Sequence, residues 1–113
     1  MNTLARSDVF RFDAAQTAVR SAGGGHFIAI AERASLRLLL SLPVKPNQQS
    51  PHTQDELYFV VKGRGILFHD GKRNAFGPGD AMFVAAGIEH HFEDFTDDLA
   101  VWVAFYGPQG GEA

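Results

Sequence analysis

From His26 onward, apolar residues recur in short runs separated by turn signals. Leu36, Leu38, Leu40 and Leu42 alternate with Arg37, Leu39 and Ser41, the period of a strand. Residues 57–62 form a β-rich run ended by Gly63-Arg64-Gly65. Residues 66–69 and 72–76 flank Asp70-Gly71, a two-residue turn of the type that favours a type I′ hairpin. A tight reversal at Gly77-Pro78-Gly79-Asp80 precedes strands predicted over 81–84, 90–95 and 99–106. The loop with Pro43, Pro46 and Pro51 cannot continue a central strand. Short strands without a long amphipathic helix predict an all-β sandwich or small barrel.

Upstream, Asp13 is placed to N-cap a helix of one or two turns, with Gln16 as its capping-box partner and Gly23 as its stop. Gly23-Gly24-Gly25 reads as a flexible loop, so the chain divides into an N-terminal segment, 1–25, and a β domain, 26–113. The run 99–106 is apolar on both parities: Leu99, Val101, Val103 and Phe105 on one, Ala100, Trp102, Ala104 and Tyr106 on the other. Phe59 and Val61 are likewise apolar on the face opposite Glu56, Tyr58 and Val60. A lone sandwich leaves one face wet, so either the N-terminal segment or a second subunit covers this surface. A homodimer is the expectation.

Composition narrows the functional classes. The 113 residues hold 45% hydrophobic side chains, enough for one folded core, and no cysteine. Disulfide frameworks, thiolate metal sites and cysteine nucleophiles are thereby excluded. A net charge of −3 and no basic patch with interleaved aromatics argue against nucleic acid and anionic membrane as partners. The longest apolar run has eight residues against the roughly 20 of a membrane helix. The charged N-terminal stretch lacks a signal-type apolar region, and a cytoplasmic location is expected. Glu89, Glu93, Asp94, Asp97 and Asp98 cluster after the last basic residue, Arg73. They form either a cation or partner surface or a solvated turn.

Three histidines have chemical context; His26 and His69 read as ordinary loop and turn residues. In His52-Thr-Gln-Asp-Glu56, an extended chain would put His52 and Glu56 on one face. Glu56 shares its parity with Tyr58 and Val60, so it either faces the interior, where a cation or donor must compensate it, or meets water at the strand's start. At His90-His91 only one ring can face inward; His90 shares the parity of Phe92, leaving His91 with Glu93 outside. Two imidazoles and one carboxylate suit a divalent transition metal with open coordination positions.

These residues stand in a recognisable order. The passage from Pro51 through His52, Glu56 and Gly63 to Gly65 resembles the first sequence motif of the cupins. Pro78-Gly79-Asp80, leading through an apolar strand to Gly87 and His90, resembles the second. The resemblance spans about 36–106 and implies a double-stranded β-helix, or jelly-roll, barrel with a short helical or irregular N-terminal segment. It implies His52, Glu56 and His90 as ligands of one zinc, iron, manganese or nickel ion. This chain departs from the family in having Ser50 where a first histidine is usual, Ala85 for a proline and Asp94 for an asparagine. Ser50, a water on it, or Gln54 would take the fourth position.

The resemblance also implies a small-molecule ligand in the barrel, walled by Tyr58, Met82, Phe92 and Trp102. Free-standing cupins of this size resemble proteins of the tetracenomycin polyketide synthesis type, which suggests an aromatic polyketide substrate. The activity expected is that of a metal-dependent isomerase, cyclase or dioxygenase. The alternative is a non-catalytic ligand-binding or sensor cupin with a structural or empty site.

Overall fold

The computed structural model describes residues 2–3, 6–23, 26–47 and 49–112. Strands β1 (Asn2–Thr3), β2 (Phe27–Arg33), β3 (Leu36–Ser41), β4 (Asp55–Lys62), β7 (Ala81–Val84) and β9 (Ala100–Tyr106) make a six-stranded sheet in the order β1-β2-β3-β9-β4-β7. Strands β5 (Gly65–His69), β6 (Lys72–Phe76) and β8 (His90–Glu93) make a second sheet in the order β6-β5-β8. Every pairing is antiparallel except that of β1 with β2. This is the expected jelly roll. Asp70 and Gly71 take φ of 50° and 75°, the two positive values that a type I′ turn requires. Gly63 cannot carry a side chain: its φ is 92°, and a Cβ there would lie 2.5 Å from the Leu99 Cα.

The larger sheet is apolar on both faces, and over β2, β3 and β9 it is covered on both. Tyr58, Val60, Val101, Val103 and Phe105 point inward and pack with Phe92 of the smaller sheet. On the other face Leu40, fully buried, meets Ala15 and Val19 of helix α1 (Phe12–Ser21), with Phe12 edge-on to Trp102 at 6.4 Å. The leucines of β3 therefore divide, Leu39 to the interior and Leu40 to the helix. The N-terminal segment thus covers the Trp102 end of the sheet. Phe59 and Phe83, on β4 and β7, remain 45% and 51% exposed.

The helix differs from the sequence expectation. It is ten residues long, its N-cap is Arg11, and that position has no side-chain cap bond. Asp13 lies inside the first turn, where its carboxylate accepts the Ala14 N–H at 2.8 Å and complements the helix dipole. Packing of an i, i+4 pair, Ala15 and Val19, against the sheet extends the helix beyond what its weak cap would support. Two of the three loop glycines, Gly24 and Gly25, lie outside the described residues.

Asp55, the first residue of β4, is buried at 5% exposure. Its carboxylate accepts the Ala86 N–H at 2.9 Å and the Glu112 N–H at 3.2 Å, tying the C-terminal segment and the 85–88 turn to β4. Asp55→Ala would leave both amides without their charged acceptor. It is expected to lower unfolding stability by about 3 kcal/mol, read as a lower urea midpoint at unchanged slope. A midpoint equal to that of the unsubstituted protein would show the clamp to be energetically idle.

Candidate metal centre

One end of the jelly roll brings three ligand-type side chains together. Glu56 is the second residue of β4, paired across to Val84 and Phe105, and its side chain is only 3% exposed. His90 opens β8 in the facing sheet and is 1% exposed. His52 is not on a strand; it lies in the loop before β4, where its carbonyl accepts the Gly87 N–H at 2.8 Å. A loop path rather than strand parity therefore delivers it. The three ligand atoms lie within 4.8 Å of one another, the distance set that a single cation can span.

The charge balance of this cluster is specific. The His90 Nδ1–H donates to the Ile88 carbonyl at 2.9 Å, so Nε2 points its free position at Glu56 Oε1, 3.1 Å away. Despite that distance, the two atoms are not aligned for a hydrogen bond, and among the described residues they are the buried side-chain polar atoms left without a partner. Two such facing atoms in a buried site need a proton or a metal cation between them. Burial acts on His90 to lower its pKa, but Glu56 and the Ile88 carbonyl outweigh it and raise the value overall. His52 is held below the ordinary histidine value, mainly by burial and further by His90 and Arg37, against the upward pull of Glu56. A lowered pKa keeps its imidazole neutral, the form that ligates metals.

Beside the triad is a cavity of about 260 Å³, lined by His52 and Glu56. Tyr58 and Phe92 line it, their rings 5.1 Å apart in an edge-on contact. Ser50 lines it as well, whereas Gln54 turns away and donates to the carbonyls of Ser35 and Gly107, both at 3.0 Å. Gln54 is not among the residues that line the cavity. Met82 faces a separate hollow beside His69 and Asn74. Trp102 is on the helix side of the sheet, since the opposite parity of β9 supplies Val101, Val103 and Phe105 to the interior. His91 bonds Glu93 at 2.8 Å on the outer face.

The lining also includes polar residues that were not anticipated, His26, Ser41, Asn47 and Gln49, and apolar ones such as Leu39, Val103 and Phe105. Asn47 and Gln49 come from the proline-containing loop, which carries no periodicity to signal a role. Their positions are set by distant partners: the Phe92 N–H donates to Asn47 Oδ1 at 2.9 Å, Gln49 Nε2 donates to the same oxygen at 2.7 Å, and the Tyr58 hydroxyl donates to Gln49 Oε1 at 3.1 Å. Burial, the Glu56 charge and hydrogen bonding to Glu56 hold the Tyr58 hydroxyl far above its ordinary pKa, with Gln49 opposing, so it stays protonated. The acidic residues near the C-terminal end form no second cation group among the described residues; Glu93 pairs with Arg73 at 2.8 Å and Asp97 with Lys45 at 3.6 Å.

Comparison with known proteins places this arrangement. The chain is 32% identical over 102 residues to an uncharacterized protein of Streptomyces coelicolor, covering 88% of this chain and 96% of that one. It is 34% identical over 64 residues to the acireductone dioxygenase of Bacillus licheniformis, which covers 52% of this chain but only 36% of the enzyme. A cupin-2 domain containing protein from Shewanella frigidimarina shares the fold at a TM-score of 0.65 and 16% identity, over 85% of this chain and 92% of that one. The family model described as "Cupin domain" matches residues 42–106, which run from the end of β3 to the end of β9 and include all three ligand-type residues. With more than half of the sequence matched and the jelly roll in place around His52, Glu56 and His90, this chain belongs to the cupin domain family.

Proposed function

We propose that this protein is a metal-dependent cupin that holds one divalent transition metal (iron, zinc, manganese or nickel) on His52, Glu56 and His90. The reaction proposed is conversion of a small organic molecule in the adjoining cavity. The observation that carries the reading is the buried, unaligned pair of Glu56 Oε1 and His90 Nε2, which a cation between them would satisfy. Three protein ligands leave positions for substrate, and Ser50 at the cavity wall supplies no imidazole to close them. When bound, such an ion supplies Lewis acidity toward a substrate oxygen or, as iron, reactivity toward O2. The chain's own part is to hold His52 neutral, fix the His90 tautomer through Ile88 and keep the Tyr58 hydroxyl protonated. Phe92, Phe105 and Leu39 keep that part of the wall apolar.

The stretch shared with a dioxygenase supports dioxygenation over isomerisation or cyclisation. An aromatic polyketide intermediate, suggested by the tetracenomycin-type resemblance, would enter by a single ring, because the cavity is below the usual range for larger ligands. The cytoplasm is the proposed location, on the reading of a cysteine-free chain. A second reading, a non-catalytic ligand-binding cupin, draws on Ser50 in place of an imidazole and on the lack of any carboxylate besides Glu56 in the cavity lining.

Metal analysis of protein purified without added metal is expected to show close to one ion per chain, falling at least tenfold in His52→Ala and in His90→Ala. His91→Ala should keep its metal. Undiminished content in the first two variants overturns the ligand set. Iron-loaded protein supplied with small ene-diols is expected to consume O2 faster than His90→Ala treated alike; equal rates favour the binding-only reading.

The proposal also takes the protein as a homodimer through the outer face of β4 and β7, where Phe59 and Phe83 are exposed. Sedimentation should give a species of twice 12.3 kDa, converted to single chains by Phe59→Asp. A single-chain species in the unsubstituted protein rejects the dimer.

A further inference from the structure

The amides that line the cavity have their orientation settled by their partners. The Phe92 backbone N–H can only donate, so the atom it meets is the Asn47 carbonyl oxygen. The Gln49 end that faces this same oxygen must then be its NH2, and the opposite end, its carbonyl, accepts the Tyr58 hydroxyl. The Asn47 oxygen therefore accepts two hydrogen bonds and is saturated, and the Gln49 oxygen accepts one. Left over as donors are both N–H bonds of Asn47 and the second N–H of Gln49, on residues that line the cavity. Among the described residues, no protein acceptor takes the Asn47 NH2.

The position of this pair relative to the triad follows from strand geometry. Tyr58 is two residues beyond Glu56 on β4, and Phe92 is two beyond His90 on β8. Each pair shares a face, and two residues advance roughly 6–7 Å along a strand. The amide pair thus stands one side-chain layer from the triad in both sheets. The lining contains no Lys, Arg or Asp, and its sole carboxylate is Glu56. A charged group on a ligand at this layer would have no counter-ion.

We infer that the N–H groups of Asn47 and Gln49 form a donor subsite that receives an uncharged acceptor oxygen, a carbonyl or ether, on the end of the ligand distant from the triad. The inference rests on the cavity being the ligand chamber of the proposed metal site, and it narrows the substrate class. The molecule is compact, about one ring in size, oxygen-bearing at both ends, and neutral at the amide end.

The probe pair is 3,4-dihydroxybenzaldehyde and 4-methylcatechol, which present the same chelating end and differ in a carbonyl oxygen at the other. Their dissociation constants are measured by calorimetry on metal-loaded protein, and the preference for the aldehyde is compared between the unsubstituted chain and variants. Asn47→Asp retains the oxygen that serves Phe92 and Gln49 but replaces the donor with an acceptor. It is expected to cut the preference at least fivefold, the scale of one neutral hydrogen bond, with metal content unchanged. Gln49→Met, a nearly isosteric loss of the second donor, covers the case in which Asn47→Asp does not fold, and should cut the preference about threefold or more. An unchanged preference in a folded variant overturns the subsite. Should the unsubstituted chain hold no metal, the proposed ligand set fails separately. The preference is then read on metal-free protein by ligand-observed NMR with benzaldehyde and toluene, and its absence or its persistence in the variants overturns the subsite.

Discussion

A carboxylate oxygen and an imidazole nitrogen, both buried and 3.1 Å apart without hydrogen-bond alignment, set the terms on which this end of the barrel can exist. Each alone would carry a desolvation cost of a few kcal/mol. Neither can turn away, since His90 is anchored by Ile88 and Glu56 sits on a strand paired on both sides. The surrounding structure serves to hold them: β4 runs between β9 and β7, β8 is paired to β5, and the turn before β8 is clamped by Asp55. Selection of imidazole and carboxylate here follows from the absence of cysteine, which restricts any transition metal to nitrogen and oxygen donors.

The fold also explains why a thin, partly apolar chain can support a cavity. The larger sheet is packed on one side by the interior and on the other by α1, so its central strands are rigid from both faces. The cavity opens where the chain switches from β3 to the proline-containing loop, and the loop is kept in place by its amides rather than by apolar burial. Rigid strands therefore hold Glu56 and His90, while a hydrogen-bonded loop supplies the wall. That division suits a site in which ligand recognition varies and the ligand set does not.

Much of this was legible in the residues themselves. Alternation and turn chemistry located the strands to within a few positions, and parity alone distinguished His90 from His91. Motif spacing brought His52, Glu56 and His90 together although they come from a loop and two different sheets. What escaped was non-local. Trp102 looked like a wall residue because β9 is apolar on both parities, and only the docking of α1 decides which face is interior. Gln54 has suitable parity but is captured by the carbonyls of Ser35 and Gly107, the first 19 and the second 53 positions away in sequence. Asn47 and Gln49 carry no periodic signal; their meaning arises from contacts with Phe92 and Tyr58.

The chain of bonds from Tyr58 through Gln49 and Asn47 to Phe92 begins in one sheet and ends in the other. The two sheets are separate hydrogen-bonded units, so this chain and the Glu56–His90 contact act as fasteners between them. Occupancy and cohesion are then thermodynamically linked: whatever engages both sheets at once favours the closed sandwich by mass action. Evolution of a new specificity at this wall cannot proceed by exchanging contact residues alone, because each exchange also alters how firmly the two halves of the molecule are joined.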